Sequence, residues 1–327
     1  MEAAGTVSRQ GLTAALLRRR AWPLAALALA IVFPIVARSF GQDFYVGFAS
    51  RILIMALFAS SLNLLVGVGG MVSLGHAAFY GAGAYVVGIA SVEWPAGLGV
   101  QALAVWPLAM AVSGALALAI GAVCLRTRGV YFIMITLAFA QMIYYVFVSL
   151  KAYGGDDGLS LAQRSTLPGL DLGSDAAFYY TVLAIFAAAL VALSRLGASR
   201  FGAALRGIKE NEARMESLGF PTYRFKLAAF AIGGALAGLA GALMANQNAF
   251  VSPNMMHWEQ SGVALVMVIL GGLGRLWGGF AGAVLYLVLE EVLSGVTGHW
   301  QIVLGAILLL VVFFAPRGIA GLFAGKS

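Results

Sequence analysis

Apolar runs separated by short polar joints set the rhythm of the chain. The runs cover 21–38, 47–68, 74–92, 101–125, 129–150, 176–196, 227–248, 261–274, 276–297 and 301–315. About 20 apolar residues cross a hydrocarbon core roughly 30 Å thick, so the pattern predicts about ten transmembrane helices. The third and eighth runs are short or broken by glycine, and full crossing is not required of them. No alternating ten-residue segments of the kind that build a transmembrane barrel occur. The joints are EWPAG, RTRG, the long KAYGGDDGLSLAQRSTLPGLDLGSD, a charged stretch at 204–221, and SPNMMHWEQ.

Composition agrees with this reading. Of 327 residues, 61% are hydrophobic and 10% charged, where soluble chains carry roughly 25% charge. The expected fold class is therefore an all-α polytopic membrane protein. Lone Cys124 excludes an internal disulfide, and the three histidines at 76, 257 and 299 lie too far apart in sequence to suggest a metal site. The net charge of +7 matters through its distribution, and nucleic acid is not an expected partner. With the N-terminus inside, and Arg195 counted with the loop it adjoins, sixteen of the twenty Lys and Arg fall in 1–20, 126–128, 197–226, around 275 and 316–327. Asp156, Asp157, Asp171 and Asp175 fall outside, in the 151–175 loop. Both termini are then expected in the cytoplasm. The basic N-terminal segment 1–20 leads into 21–38, read as a retained span because no small-x-small cleavage site is evident.

Two stretches break the apolar pattern with glycine. In SLNLLVGVGGMVSLGHAAFYGAGAYVVG (61–88) glycines stand at 67, 69, 70, 75, 81 and 83, and VILGGLGRLWGGFAGAVLYLV (268–288) has a similar rhythm. Paired interrupted helices can flank a transport path; close packing through small residues gives the same composition. Near the first break lie Asn63, Ser73, His76 and Tyr80, and Asn246, Gln247 and Asn248 end the seventh run on its outer side. These seven are candidates to line a solute path. Arg51 and Glu290/Glu291 are costly in lipid and are expected to pair between helices or sit at the interface. No set of residues suggests an enzyme. The terminal AGLFAGKS has a loose phosphate-loop spacing but not the strand–loop–helix context that phosphate binding needs.

The densest charge cluster is ALRGIKENEARMESLGFP, with Arg206, Lys209, Glu210, Glu212, Arg214 and Glu216 within eleven positions. It reads as one short helix closed by Gly219-Phe220-Pro221. Arg206, Glu210 and Arg214 form an i, i+4, i+8 ladder, and Ile208, Met215 and Leu218 an apolar stripe. A helix this short is marginal alone, and a cytoplasmic loop needs no interleaved glutamates, so a docking helix for a soluble partner is expected.

Several stretches together resemble one family. LNLLVGVGGMVSLGHAAFYGAGAY (62–85), RTRGVYFIMITLAFAQM (126–142) with YGGDDGL (153–159), RFGAALRGIKENEARMESLGFPTYRFKLAAFAIGGALAGLAGAL (200–243) and SPNMMHWEQSGVALVMVILGGLGRLWGG (252–279) are similar to permease subunits of ATP-binding-cassette importers for branched-chain amino acids. Of the family's two permease kinds they resemble the longer, LivM type. The resemblance implies that 1–327 is a single transmembrane permease domain of the ten-helix, type II-like architecture, in a bacterial inner membrane. It implies a second permease subunit, two ATPase subunits and a periplasmic solute-binding protein as partners. ATP and Mg would then be bound by the ATPases, with no cofactor on this chain. It also makes 197–226 the loop carrying the ATPase-coupling helix, in which Glu212, Ala213 and Gly219 match the family motif and Arg214 stands where an alanine is general. Similar permeases carry urea or short amides. An ion-coupled secondary transporter, with His76 and Glu290/Glu291 as proton relays, is the rival class.

Overall fold

A computed structural model describes residues 30–36, 43–94, 100–314 and 318. The basic segment 1–20, the expected first span outside 30–36, the Pro95–Gly97 part of the EWPAG joint and the tail 316–327 apart from Gly318 lie outside the described residues. The chain divides into a unit over Met1–Phe48 and a larger one over Ala49–Ser327. Helix α1 covers residues 30–36 in the first.

The helices that follow are α2 (Asp43–Asn63), α3 (His76–Glu93), α4 (Ala102–Cys124), α5 (Val130–Ser149), α6 (Asp175–Ala198), α7 (Arg200–Glu210), α8 (Glu212–Ser217), α9 (Thr222–Asn248), α10 (Trp258–Gly271), α11 (Gly278–Val296) and α12 (Trp300–Phe314). Among the described residues, six stretches are long and apolar enough to cross a membrane: Phe44–Val68, Ala102–Cys124, Val130–Ser149, Asp175–Ala198, Thr222–Asn248 and Gly278–Val296. The protein is thus a helical, multi-pass membrane protein. The exposed Leu103, Val112, Val130, Met134 and Val191 are the outward faces of these helices, suited to lipid.

Helix α3 is the exception that organises the rest. It has 18 residues, is not among the six apolar crossings, and is surrounded by protein. It packs on α9, α4, α5 and α10, and His76 through Tyr85 are buried without interruption. Glycines let it meet α9 backbone to backbone. A Cβ on Gly83 would lie 2.0 Å from the Gly238 carbonyl oxygen, and one on Gly241 would lie 1.7 Å from the Tyr80 carbonyl oxygen. Without a hydrophobic effect between helices in lipid, such close van der Waals contact drives association.

The approach to α3 is irregular. Helix α2 ends in a π turn over Leu64–Val68, in which Gly69 N–H donates to the Leu64 carbonyl at 3.1 Å. Residues 69–75 then run without helix or strand, and Met71, Ser73 and Gly75 are buried. Non-helical backbone survives at membrane depth only under such cover. Ser261 of α10 satisfies one orphan at the start of α3 by accepting the Ala77 N–H at 2.8 Å.

Segments expected on one side of the membrane meet one another. Near the amino end of α4, Ala102 N–H donates to the Thr166 carbonyl. The short strands β1 (Leu159–Ser160) and β2 (Phe250–Val251) pair antiparallel, joining the 151–175 loop to the α9–α10 connection. Tyr153 donates to Glu93 at 3.2 Å, a bond that raises the Tyr153 phenol above its ordinary range. At the other end of α4, Tyr223 donates to the Ala122 carbonyl at 2.9 Å, beside α7 and α8.

Candidate functional site

The charged stretch forms two helices where the sequence predicted one. Ser199 caps α7, its hydroxyl accepting the Gly202 N–H at 3.4 Å. Helix α7 ends at Asn211, whose backbone is extended at φ −156°, ψ 98°. The Asn211 Oδ1 accepts the Arg214 N–H at 2.9 Å and so caps α8. Asparagine favours caps because its side chain can replace a backbone partner. The break overturns the expected ladder: Arg206 and Glu210 lie on α7, Arg214 on α8, and Arg206 instead donates to the Gly197 carbonyl at 2.7 Å.

Helix α8 closes as the sequence implies. Phe220 N–H donates to Met215 O at 3.1 Å and Gly219 N–H to Glu216 O at 2.9 Å, the paired bonds of a Schellman cap. Gly219 has φ +84°, and nothing within 4 Å would meet its Cβ. Gly219→Ala therefore carries only the left-handed backbone penalty, about 1 kcal/mol. The expected result is roughly fivefold faster amide exchange across 212–220, with Gly219→Asn milder.

The glutamates of α8 pair with neighbouring segments. Glu212 Oε1 accepts from Lys226 Nζ of α9 at 2.5 Å, and Arg128 lies 3.6 Å from Glu212 and 3.5 Å from Glu216. Thr222 donates to Glu216 at 2.9 Å. Lys226 is 8% exposed, and Glu212 supplies its counter-charge. Arg128 is mostly exposed, and its contribution is small. Together they clamp α8 to the start of α9 and to the α4–α5 turn.

The expected apolar stripe divides. Ile208 is buried, Met215 lies against Gly207, and Leu218 is 65% exposed. The outward surface of the pair carries Glu210, Ala213, Arg214, Leu218 and Phe220. Sequence reasoning missed Arg128, Lys226 and the capping role of Asn211. The Asn-Glu start of α8 was the available signal for the cap, since an acidic residue suits a helix N-terminus.

The polar residues near the first glycine break are buried: Asn63 at 6% exposure, Ser73 and His76 at 0%, Tyr80 at 4%. Asn63 joins the two glycine-broken stretches. Its Nδ2 donates to the Arg275 carbonyl at 2.7 Å, and its Oδ1 accepts the Gly274 N–H at 2.9 Å. Ser73 Oγ accepts the Gly75 N–H. His76 Nε2 lies 2.8 Å from Ser61 Oγ, which is also 2.7 Å from the Phe58 carbonyl. The single Ser61 proton serves Phe58, so Nε2–H donates to Ser61, and the buried Nδ1 has no partner among the described residues. The His76 ring stacks on Phe58 at 5.6 Å, and Tyr80 packs on Phe58 at 4.5 Å.

The outer trio does not act as a set. Asn246 is buried and anchors the 151–175 loop, its Oδ1 accepting the Ser165 N–H at 2.6 Å and its carbonyl receiving Arg164. Arg164 also pairs with Asp175 at 2.7 Å and lies 4.9 Å over the Phe178 ring. Gln247 is half-buried and Asn248 exposed. Arg51 lies 3.5 Å from Glu290, an interhelical pair as expected.

Known proteins give this geometry a context. A family model described as branched-chain amino acid transport system / permease component matches residues 44–312. The high-affinity branched-chain amino acid transport system permease protein LivM of Salmonella typhimurium is 28% identical over 92% of this chain and 75% of its own length. LivM of Escherichia coli is 27% identical over the same shares. LivH of Salmonella typhimurium, named as a permease protein of the same kind of system, is 31% identical over 38% of this chain and 40% of its own length. No solved structure matches. With its family model spanning most of the sequence, the chain belongs to the family of branched-chain amino acid transport system permease components.

Proposed function

We propose that this chain is one permease subunit of an ATP-driven importer that carries branched-chain amino acids across a bacterial inner membrane. A second permease subunit, two ATPase subunits binding ATP and Mg, and a periplasmic solute-binding protein complete the complex. The similarity to both LivM and LivH supports the paired permeases. We take the fold as ten membrane helices with both termini cytoplasmic, 151–175 outside and 197–226 inside.

The observation that carries the reading is the α7–α8 pair. In a permease with no nucleotide site of its own, it joins α6 to α9, is held to α9 through Glu212 and turns Leu218 and Phe220 outward. A short, clamped helix with an exposed apolar tip suits docking into a groove of an ATPase. ATP-driven closure of the ATPases moves this pair, and the motion alternates the path between outward- and inward-open states. Asn63, Ser73, His76 and Tyr80, all under 7% exposed, are then the path candidates in a closed conformation. Asn246 is an anchor of the outer loop. The proton-relay alternative loses support, because Glu290 faces Arg51 and His76 is enclosed by Ser61 and aromatic rings.

The test is uptake by the assembled complex in proteoliposomes with its binding protein. Leucine uptake is expected to require ATP and both ATPase subunits, and excess isoleucine or valine to compete where urea does not. Uptake by the isolated chain driven by an ion gradient would overturn the reading, and competition by urea would overturn the solute.

A further inference from the structure

Lys209 is the one basic residue of α7 that reaches the glycine breaks. Its Nζ donates to the Gly67 carbonyl at 2.7 Å, in the π turn where the local ladder has slipped to Gly69→Leu64 and Met71→Leu65. A π turn leaves its last carbonyls poorly served by the chain that follows. The lysine stem lies on Gly70, whose φ is +68° and whose Cβ would come within 2.8 Å of Lys209 Cγ. Gly67 is equally tight on its other side. A Cβ there would lie 2.3 Å from Asn63 Oδ1 and 2.4 Å from the Gly274 nitrogen. Asn63 in turn holds both Gly274 and Arg275 by their backbones.

These contacts form one continuous connection. It starts on α7, crosses the π turn, and ends in the turn between α10 and α11. We propose that Lys209 is the positioning residue that couples α7 to the two glycine breaks, so that movement of the α7–α8 pair shifts both interrupted helices together. The inference rests on the importer reading above. Its physical basis is that both breaks are irregular backbone, which has two arrangements available more readily than a continuous helix. A charged donor on the Gly67 carbonyl biases one arrangement over the other, and a device of this kind works only through such a difference between states. The connection is separate from the Glu212 clamp, which holds α8 to α9 without touching either break.

Lys209→Met keeps the stem and removes the donor; Lys209→Arg keeps a donor. Both are assembled with the second permease, the ATPases and the binding protein in proteoliposomes, where leucine uptake and ATP hydrolysis are measured side by side. A hydrogen bond to a charged group is expected to bias an equilibrium by about tenfold or more. Lys209→Met should therefore lower leucine uptake by about that factor while binding-protein-stimulated hydrolysis stays within about twofold of wild type. Lys209→Arg should recover at least about half of the uptake. A merely structural role moves uptake, hydrolysis and the yield of complex in parallel, and that result, in either variant, overturns the proposal. So does Lys209→Met with a wild-type ratio of uptake to hydrolysis. Absence of ATP-driven uptake in the wild-type complex overturns the importer reading and the proposal with it.

Discussion

Glu212→Lys abolishes ATP-driven uptake while the chain still enters the membrane. The substitution sets a second cation against Lys226, which is 8% exposed and has Glu212 as its ion-pair partner. Breaking a buried pair costs about 3–5 kcal/mol, and the partial exposure of Glu212 lowers this toward about 1–3 kcal/mol. Helix α8 has six residues and cannot hold its place without the clamp. The membrane helices do not depend on it, so the amount of inserted protein is expected to stay near wild type. Exchanging the pair, Glu212→Lys with Lys226→Glu, should restore a substantial part of uptake. Normal uptake by Glu212→Lys removes the coupling role of α8. Failure of the exchange, with Lys226→Glu alone transporting normally, would instead put Glu212 in contact with the ATPase.

Gly83→Ala combined with Gly241→Ala removes the assembled complex altogether. Each adds one methyl group where the backbones of α3 and α9 already touch, at 2.0 Å and 1.7 Å from carbonyl oxygens. Side chains could turn aside, but backbone cannot, and over-packing costs about 1–3 kcal/mol per site. Two sites on one crossing together cost about 2–6 kcal/mol, a large share of the roughly 5–15 kcal/mol that holds a fold together. Fluorescence-detected size exclusion of the solubilised complex reads this directly. Gly262→Ala on α10 is the control, since nothing lies within 4 Å of its Cβ, and it should leave the profile unchanged. A monodisperse double variant would show that α3 and α9 are not held by this crossing.

The membrane helices were legible because lipid imposes length and apolarity on each segment separately. The expected 101–125, 129–150 and 176–196 correspond to α4, α5 and α6 within one or two residues. The expected 261–274 slid to Trp258–Gly271 because Gly272, at φ +110°, ends the helix. The expected 227–248 gained five residues at its start, since Thr222–Lys226 continue α9 out to the clamp. The charged stretch was legible as a separate unit but not in its geometry. Its periodicity describes one helix, and only the capping preference of Asn211 breaks it. No local pattern could pair Lys209 with Gly67 or Asn63 with Arg275, which lie 142 and 212 positions apart. The polar residues at 246–248 looked alike in sequence and differ in burial, because α9 turns one inward and leaves the next two toward the outer loop.

Helix α3 also constrains how the protein is made. Its amino end donates the Ala77 N–H to Ser261 Oγ, a residue synthesised 184 positions later. Of the neighbours that enclose it, α9 and α10 emerge from the ribosome after α4, α5 and α6. Sequential insertion of finished helices therefore leaves this centre open until α9 and α10 follow. The chain must keep α3 and the irregular 69–75 segment sheltered, by the insertion machinery or a provisional arrangement, until its carboxy-terminal half arrives to close around them.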